Sequence, residues 1–363
     1  MSKPIPVAQA YHDSPKWSLG LLSTAIIIAA LVVGRAFLIP LAIAGLIFVF
    51  SLVLDDTCRR IRIGGWTPNK WMSRLMTLCV ILVSLGGLVF LWYASFGELA
   101  RLGPEYGTRL AIKLDQMSQW IPSVITDNIL SEVASMDIQP WVTALVGQVT
   151  GSLAIASLVG FYVVFLFIER DDWEQKLPKI AKTPDDIARA KTILAEISRS
   201  VKKYVWINTV TSVLSALIAY AIFRLVGLDF AILLALVVFV AGYIPTIGSL
   251  IGIALPAIVA FLQFDSFGPF FVVLFGFGIA DQLVANVLQP ALQGRSLNIS
   301  TFVVVAALAF WGMIWGGIGM FLAIPLTVMM MIVCAQFRAT RWISVLLSQD
   351  GQVGTEKDPG SGV

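Results

Sequence analysis

Long apolar runs separated by short polar interruptions fill most of the chain, and the runs approach the ~20 residues that span a bilayer. After a polar segment at 1–16, a first span runs from about Trp17 to Val33, turns at Gly34-Arg35 and returns from Ala36 to Leu54. Asp55 to Lys70 reads as a polar loop with Arg59, Arg60, Arg62 and Lys70, and Arg74 lies just beyond it. A third span covers about Met72 to Phe96, which completes a first unit at 17–96. The segment 97–144 is mixed and broken by Pro104, Pro122 and Pro140. Leu110, Leu114 and Met117 recur there at helical spacing, which predicts short amphipathic surface helices. A fourth span at about Leu145 to Ile168 leads into a strongly charged stretch, and together they form a unit at 145–203. A fifth span then runs from Tyr204 to about Gly227.

The remainder of the core, within 204–337, resembles itself. Phe230-Ala-Ile-Leu-Leu-Ala-Leu-Val-Val-Phe-Val and Phe302-Val-Val-Val-Ala-Ala-Leu-Ala-Phe each lead into glycines and an apolar arm with proline. Gly248 precedes Pro256, and Gly317 precedes Pro325, by the same interval, and the arms end in Ala-Leu-Pro and Ala-Ile-Pro. Each unit is roughly 50 Å long as one helix, against ~30 Å for the hydrocarbon core. Folding at the glycines turns each into a hairpin, re-entrant or fully crossing, that follows one ordinary span (204–227 or 267–292). The fold class is therefore an all-α polytopic membrane protein, with about eight transmembrane helices or six spans plus two Gly/Pro-broken hairpins. The two helix-plus-hairpin units form an inverted repeat, a recurring plan in secondary transporters. The other reading is convergence of two Gly/Pro-punctuated apolar runs.

Composition sharpens the membrane reading. Of 363 residues, 58% are hydrophobic and 13% charged, whereas a soluble domain carries about a quarter charged residues. Loop charge sets an orientation. Residues 97–144 hold three basic against six acidic residues, while the loops at 55–74 and 169–203 hold most of the Lys and Arg. The positive-inside rule puts those two loops and both termini in the cytoplasm, with 97–144 outside and Arg338 and Arg341 inside. The tail 338–363 is thus cytoplasmic, and its Gly-rich end, 349–363, is expected to be disordered.

Several chemistries are set aside. A formal charge of +3, scattered along the chain, does not suggest nucleic-acid binding. Cys58, Cys79 and Cys334 lack metal-ligand spacing, so neither a zinc site nor a disulfide framework is expected. No cofactor is implied, and no phosphate-binding G-x-x-x-x-G-K-[ST] loop is present. The one histidine, His12, excludes H-E-x-x-H chemistry and His-based nucleophile activation. The chain is not expected to be an enzyme.

Asp281 is the one ionisable residue placed at mid-membrane depth. Gln282, Asn286 and Gln289 lie near 100°, 140° and 80° from it on a helix, which puts all four on one face. Such a stripe is expected to face a bundle interior or an aqueous cavity. With no Lys or Arg at that depth, Asp281 is protonated, binds a cation or is solvated. It serves either as a neutral bond between helices or as a proton, ion or substrate site. Tyr243, Pro245 and Gly248 mark a second candidate, where a helix opens and frees carbonyls, although a plain turn has the same signature. Gly317, Gly319, Pro256 and Pro325 are the matching punctuation of the hairpins. Asn208, Thr209, Thr211, Ser212 and Ser215 form a third set, able to hydrogen-bond across helices.

Tyr243-Ile-Pro-Thr-Ile-Gly248, Asn286-Val-Leu-Gln-Pro290, Gly294-Arg295-Ser-Leu-Asn298, Gly317-Ile-Gly319 and Leu322-Ala-Ile-Pro-Leu326 follow in order. Together they resemble the autoinducer-2 exporter, or PerM-type permease, family of bacterial membrane proteins. The resemblance implies a permease of the cytoplasmic membrane with about eight helices and a homo-oligomeric state such as a pentamer. Members are linked to export of the quorum-sensing signal autoinducer-2, and some are described as sodium/proton antiporters. The implied partners are lipid and a small polar solute or monovalent cation. Many relatives carry Glu where this chain has Gln289, which leaves Asp281 as the acid nearby. A reading of another class is a non-transporting membrane scaffold acting through 97–144.

Overall fold

The computed structural model describes residues 16–60, 69–118, 139–170, 176, 183–293, 299–337 and 339–351. His12, Arg62, Pro122, the stretch Gly294 to Asn298 and the tail from 352 onward lie outside the described residues. The protein is an all-α polytopic membrane protein. Among the described residues the sole extended pairing is one isolated bridge, Ile299 with Ser348.

Six helices follow the plain spans: α1 (Lys16–Val33), α2 (Arg35–Arg60), α3 (Lys70–Ser118), α4 (Gln139–Ile168), α5 (Pro184–Val226) and α8. α8 is a composite of Phe267–Phe271, π-helical Val272–Phe277, Gly278–Leu283, π-helical Val284–Leu288 and Gln289–Gln293. Between α5 and α8, α6 (Ala231–Ala241) and α7 (Ile247–Gln263) form the first hairpin. α9 (Thr301–Ala335) contains the second hairpin, and α10 (Arg341–Leu347) ends the described chain.

Two helices run past the ends expected of their spans. α5 begins at Thr183, whose hydroxyl accepts from the Asp186 amide at 3.2 Å, with Pro184 in its first turn. It ends at Gly227, which takes the left-handed conformation at φ 77°, so the charged stretch from 184 is continuous with the span. α3 carries on through Pro104 to Ser118, where separate short helices were expected. An interior proline costs about 3 kcal/mol, and the extension is offset by docking. Tyr106 is buried and packs with Phe230, Phe223 and Phe277 at the base of the first hairpin. The Tyr106 hydroxyl donates to Asp229 Oδ2 at 2.9 Å, and Lys113 Nζ lies 3.8 Å from Asp265.

The hairpins open at opposite ends of the membrane. α5 and α8 are antiparallel, since Phe223 meets Phe277 edge-on (5.4 Å between centroids) and Asn208 bonds Gln289. The first hairpin opens beside Gly227 and Gln263 and points its tip toward Tyr204, whose hydroxyl reaches the Tyr243 carbonyl at 3.4 Å. The second opens beside Ile299 and Ser348. Its tip reaches the other end, where Trp315 Nε1 donates to the Leu31 carbonyl at 3.0 Å, close to the α1–α2 turn. The two hairpins therefore run in opposite senses. A large apolar surface, including Leu21, Val83, Phe90, Leu225 and Met313, faces outward, as a lipid-facing perimeter requires.

Candidate transport site

Each hairpin is closed by a backbone contact that only glycine allows. A Cβ on Gly248 would overlap the Ala241 carbonyl, and one on Gly319 would overlap the Trp311 carbonyl. The second hairpin breaks at Gly316, with φ 65° and ψ −146°, a region essentially confined to glycine. The hinge is thus Gly316, the residue just before Gly317. Arm 301–315 then lies against arm 317–335, where Trp311 Nε1 donates to Thr327 Oγ1 at 3.2 Å. Tyr243 and Pro245 lie in the turn of the first hairpin, and Gly248 lies in the first turn of α7. Pro256 and Pro325 sit inside the second arms of their hairpins. Both are fully buried there, where a residue with no amide hydrogen adds no donor that must be satisfied.

The two tips meet. The Tyr243 ring lies 4.7 Å from that of Phe321, five residues past the Gly316 break. Tyr243 is also held by Thr209, whose hydroxyl is 2.7 Å from the Tyr243 hydroxyl. Beside them Gln289 donates to Asn208 Oδ1 at 2.9 Å, and Asn208 donates to the Tyr204 carbonyl at 3.1 Å. A polar network thus joins α5, the first tip and α8 at the point where the second hairpin arrives. Thr246, within this tip, holds φ 62° and ψ −53°. A β-branched residue at positive φ is strained by about 1–3 kcal/mol.

Asp281 occupies the α-helical turn between the two π-helical segments of α8. π-Helical insertions concentrate at functional sites. Asp281 is buried and its Oδ2 has no hydrogen-bond partner, and the buried Ser212 Oγ on α5 also has none. Both residues fall within the stretch pinned by the Phe223–Phe277 and Asn208–Gln289 contacts. Buried polar groups are ordinarily bonded, so each of these two oxygens, one on α5 and one on α8, stands out as unsatisfied.

The single polar face expected around Asp281 is divided. Asp281 and Gln289 turn toward the protein, whereas Gln282 and Asn286 are exposed and bond each other at 2.6 Å. They border an open groove of about 390 Å³ whose other walls include Ile253, Leu274, Gly278, Ile279 and Leu283. A face 140° wide cannot be buried against one side, and the π-helical turns change the angular spacing assumed for a regular helix. Of the third set, Asn208 and Thr209 bond across helices, Thr211 bonds back to its own helix at Ile207, and Ser215 is buried.

Sequence reasoning also missed two polar staples. Asp55, read as loop, is fully buried on α2, where it accepts from Ser73 Oγ at 2.7 Å and from Arg170 at 2.9 Å. Its position at the end of an apolar run, followed by another Asp, resembled a span boundary. At the opposite end, Gln263 Oε1 accepts from the Asp229 amide at 2.7 Å and its Nε2 donates to the Gly227 carbonyl at 2.9 Å. Burial, and then the Asp229 carboxylate that accepts its hydrogen bond, push the Tyr106 hydroxyl above its ordinary pKa.

Among the described residues, membrane-length apolar helices and two glycine-broken hairpins of opposite sense whose tips meet fit a membrane protein of the permease class. The chain belongs to the AI-2E transporter family, whose profile it matches over residues 21–339. It is 29% identical to the AI-2 transport protein TqsA of Escherichia coli K12, over 78% of this chain and 82% of the relative. A putative transport protein of Haemophilus influenzae is 27% identical over 85% of this chain and 89% of its own length. The putative transport protein YhhT of Escherichia coli K12 is 27% identical over 85% and 87%.

Proposed function

We propose that this chain moves a small polar solute across the bacterial cytoplasmic membrane through the core at 204–337, where the hairpin tips meet. One observation carries the reading: the buried Asp281 carboxylate oxygen without a partner, set between two π-helical segments of a membrane span. A charged or protonatable group is costly at that depth and is characteristic of solute and ion pathways. Ser212, Asn208 and Gln289 supply further polar groups along the same inner side of α5 and α8. The Gln282–Asn286 pair offers a second polar patch at the groove.

The solute we favour is autoinducer-2, moved outward, because one relative is named as an AI-2 transport protein. The unpartnered carboxylate oxygen favours a second reading, exchange of a monovalent cation for a proton at Asp281. Lys202 and Lys203, near the Tyr204 end of α5, and Arg341, at the start of α10, support cytoplasmic termini, with the Tyr106–Asp229 end outside. In this reading the protein is a homo-oligomeric permease, not an enzyme and not a scaffold. Glycine-broken hairpins that meet within lipid offer a scaffold nothing, because broken backbone there needs a cavity or protein to satisfy it.

The test is flux in proteoliposomes of purified protein, with autoinducer-2, sodium and protons each measured. Asp281→Asn should abolish the transported flux while leaving a folded, monodisperse protein. Full flux in this variant would remove Asp281 from the mechanism. Sodium-dependent proton movement without autoinducer-2 transport would select the second reading.

A further inference from the structure

α10 is amphipathic in the sense opposite to that of a helix packed on a soluble protein. Its inward side carries serines: Ser344 is fully buried, and Ser348, just past its end, is 7% exposed. Its outward side carries Trp342, Val345 and Leu346, spaced three and four residues apart, of which Trp342 is 64% and Leu346 69% exposed. Phe337, at the start of the turn into α10, is also exposed, as is Phe302 at the foot of the second hairpin.

The serine side is fastened to both feet of that hairpin. Ser344 Oγ donates to the Met331 carbonyl at 2.9 Å. The Ser300 amide donates to the Leu347 carbonyl at 3.2 Å, and Ile299 pairs with Ser348. Thr340 Oγ1 donates to the Cys334 carbonyl at 3.0 Å, which fixes the turn between α9 and α10. α10 therefore lies at the level where arms 301–315 and 317–335 leave the membrane, in line with their lipid-facing surface.

We propose that α10 is an interfacial anchor that inserts Trp342, Val345 and Leu346 into the headgroup–acyl boundary of the leaflet at which the second hairpin opens. Three features select lipid as the occupant. The apolar face continues the perimeter formed by Phe302 and Phe337. Tryptophan favours the membrane interface, where its ring has both apolar and polar surroundings. Arg341, exposed beside the apolar residues, suits the phosphate level of the same leaflet. Through Ser344 and the Ser300–Leu347 bond, this anchor holds the two feet of the hairpin together at the surface.

The test uses the full chain with Cys58, Cys79 and Cys334 replaced by Ala. One new cysteine, Leu346→Cys or Val345→Cys, is labelled with an environment-sensitive fluorophore, and Gln349→Cys serves as the control. The proteins are reconstituted in phosphatidylcholine–phosphatidylglycerol vesicles doped with phosphatidylcholine spin-labelled near the top of its acyl chain. The probes at 345 and 346 should be quenched about threefold more by that lipid than the probe at 349, matching insertion to the acyl boundary. Aqueous iodide should show the reverse order. Iodide quenching at 346 equal to that at 349 would overturn the anchor in favour of a solvated helix. Shielding of 345 and 346 from both quenchers would overturn it in favour of a second copy covering the face.

Discussion

If the hairpins are closed by glycine against backbone, adding one methyl group at those glycines should be costly, and adding it elsewhere in the same helices should not. At Gly248 the new Cβ would overlap the Ala241 carbonyl, and at Gly319 the Trp311 carbonyl, while Trp315 Cβ lies 3.0 Å from the same position. Backbone cannot rotate away as a side chain can, so the arms must separate. Overpacking of this kind costs about 1–3 kcal/mol, against a helix-propensity gain of about 1 kcal/mol for Gly→Ala. At Gly252 the nearest atom is Val238 Cγ2 at 3.5 Å, an ordinary contact, so only the gain applies. Gly248→Ala and Gly319→Ala should therefore destabilise, and Gly252→Ala should be neutral or stabilising. The measurement is unfolding of the purified protein in mixed micelles, titrated with a denaturing detergent and followed by tryptophan fluorescence. Equal midpoints for Gly248→Ala and Gly252→Ala would refute the backbone-closure argument, whatever their absolute values.

Further outcomes follow from the polar contacts. Asn208→Ala and Gln289→Ala, combined in a double-mutant cycle on the same unfolding assay, should couple by about 0.6 kcal/mol, the average for such bonds in membranes, and by no more than about 1.7 kcal/mol; additive effects would mean that the α5–α8 bond carries no energy. At the Asp55 staple, Arg170→Ala should cost about 1.5–3 kcal/mol because it removes a charge-assisted hydrogen bond to a fully buried carboxylate. Asp55→Asn should cost less, since the Arg170 side chain is 26% exposed and can reach water. Tyr106→Phe removes the donor to Asp229 and should lower hydrogen-exchange protection at 97–118 by about 1 kcal/mol. In the unaltered protein the raised Tyr106 pKa stabilises that contact at neutral pH, and protection should fall only as pH climbs past the ordinary value of 10.0. The Phe variant should show no such fall.

The spans and both hairpins were legible because lipid imposes a coarse rule: about 20 apolar residues per crossing, with glycine and proline where that rule is broken. What stayed hidden was decided by packing between distant residues. Nothing local separates Gly316 from Gly317, yet only the first takes a positive φ, in a region essentially confined to glycine. Pro104 looked like a helix end until Tyr106 and Asp229, 123 positions apart, held the continuation down. Asp55 looked like a loop residue because its partner Arg170 lies on another helix. The face around Asp281 was legible as polar, but its division between an inner and an outer side depended on two π-helical segments that apolar periodicity does not reveal.

These contacts also constrain how the core can move. Arms fastened by carbonyl-to-glycine approach have no slack, since close-packed interfaces shift between discrete arrangements and do not deform continuously. Each hairpin therefore moves as a unit. The surfaces that can exchange partners are the Tyr243–Phe321 ring contact, the Thr209–Tyr243 hydroxyl pair and the Asn208–Gln289 amide bond. All three lie on or beside α5, which packs against both hairpins. Strain at Thr246 raises the energy of the tip conformation seen here and so narrows the gap to an alternative one. A displacement of the first tip would break the Thr209 and Phe321 contacts together, exposing the α5 wall that leads toward Ser212 and Asp281. The second hairpin would feel that step through Phe321, while the Ser344 and Leu347 bonds hold its feet. In the proposed mechanism, opening would then be confined to the place where the tips meet.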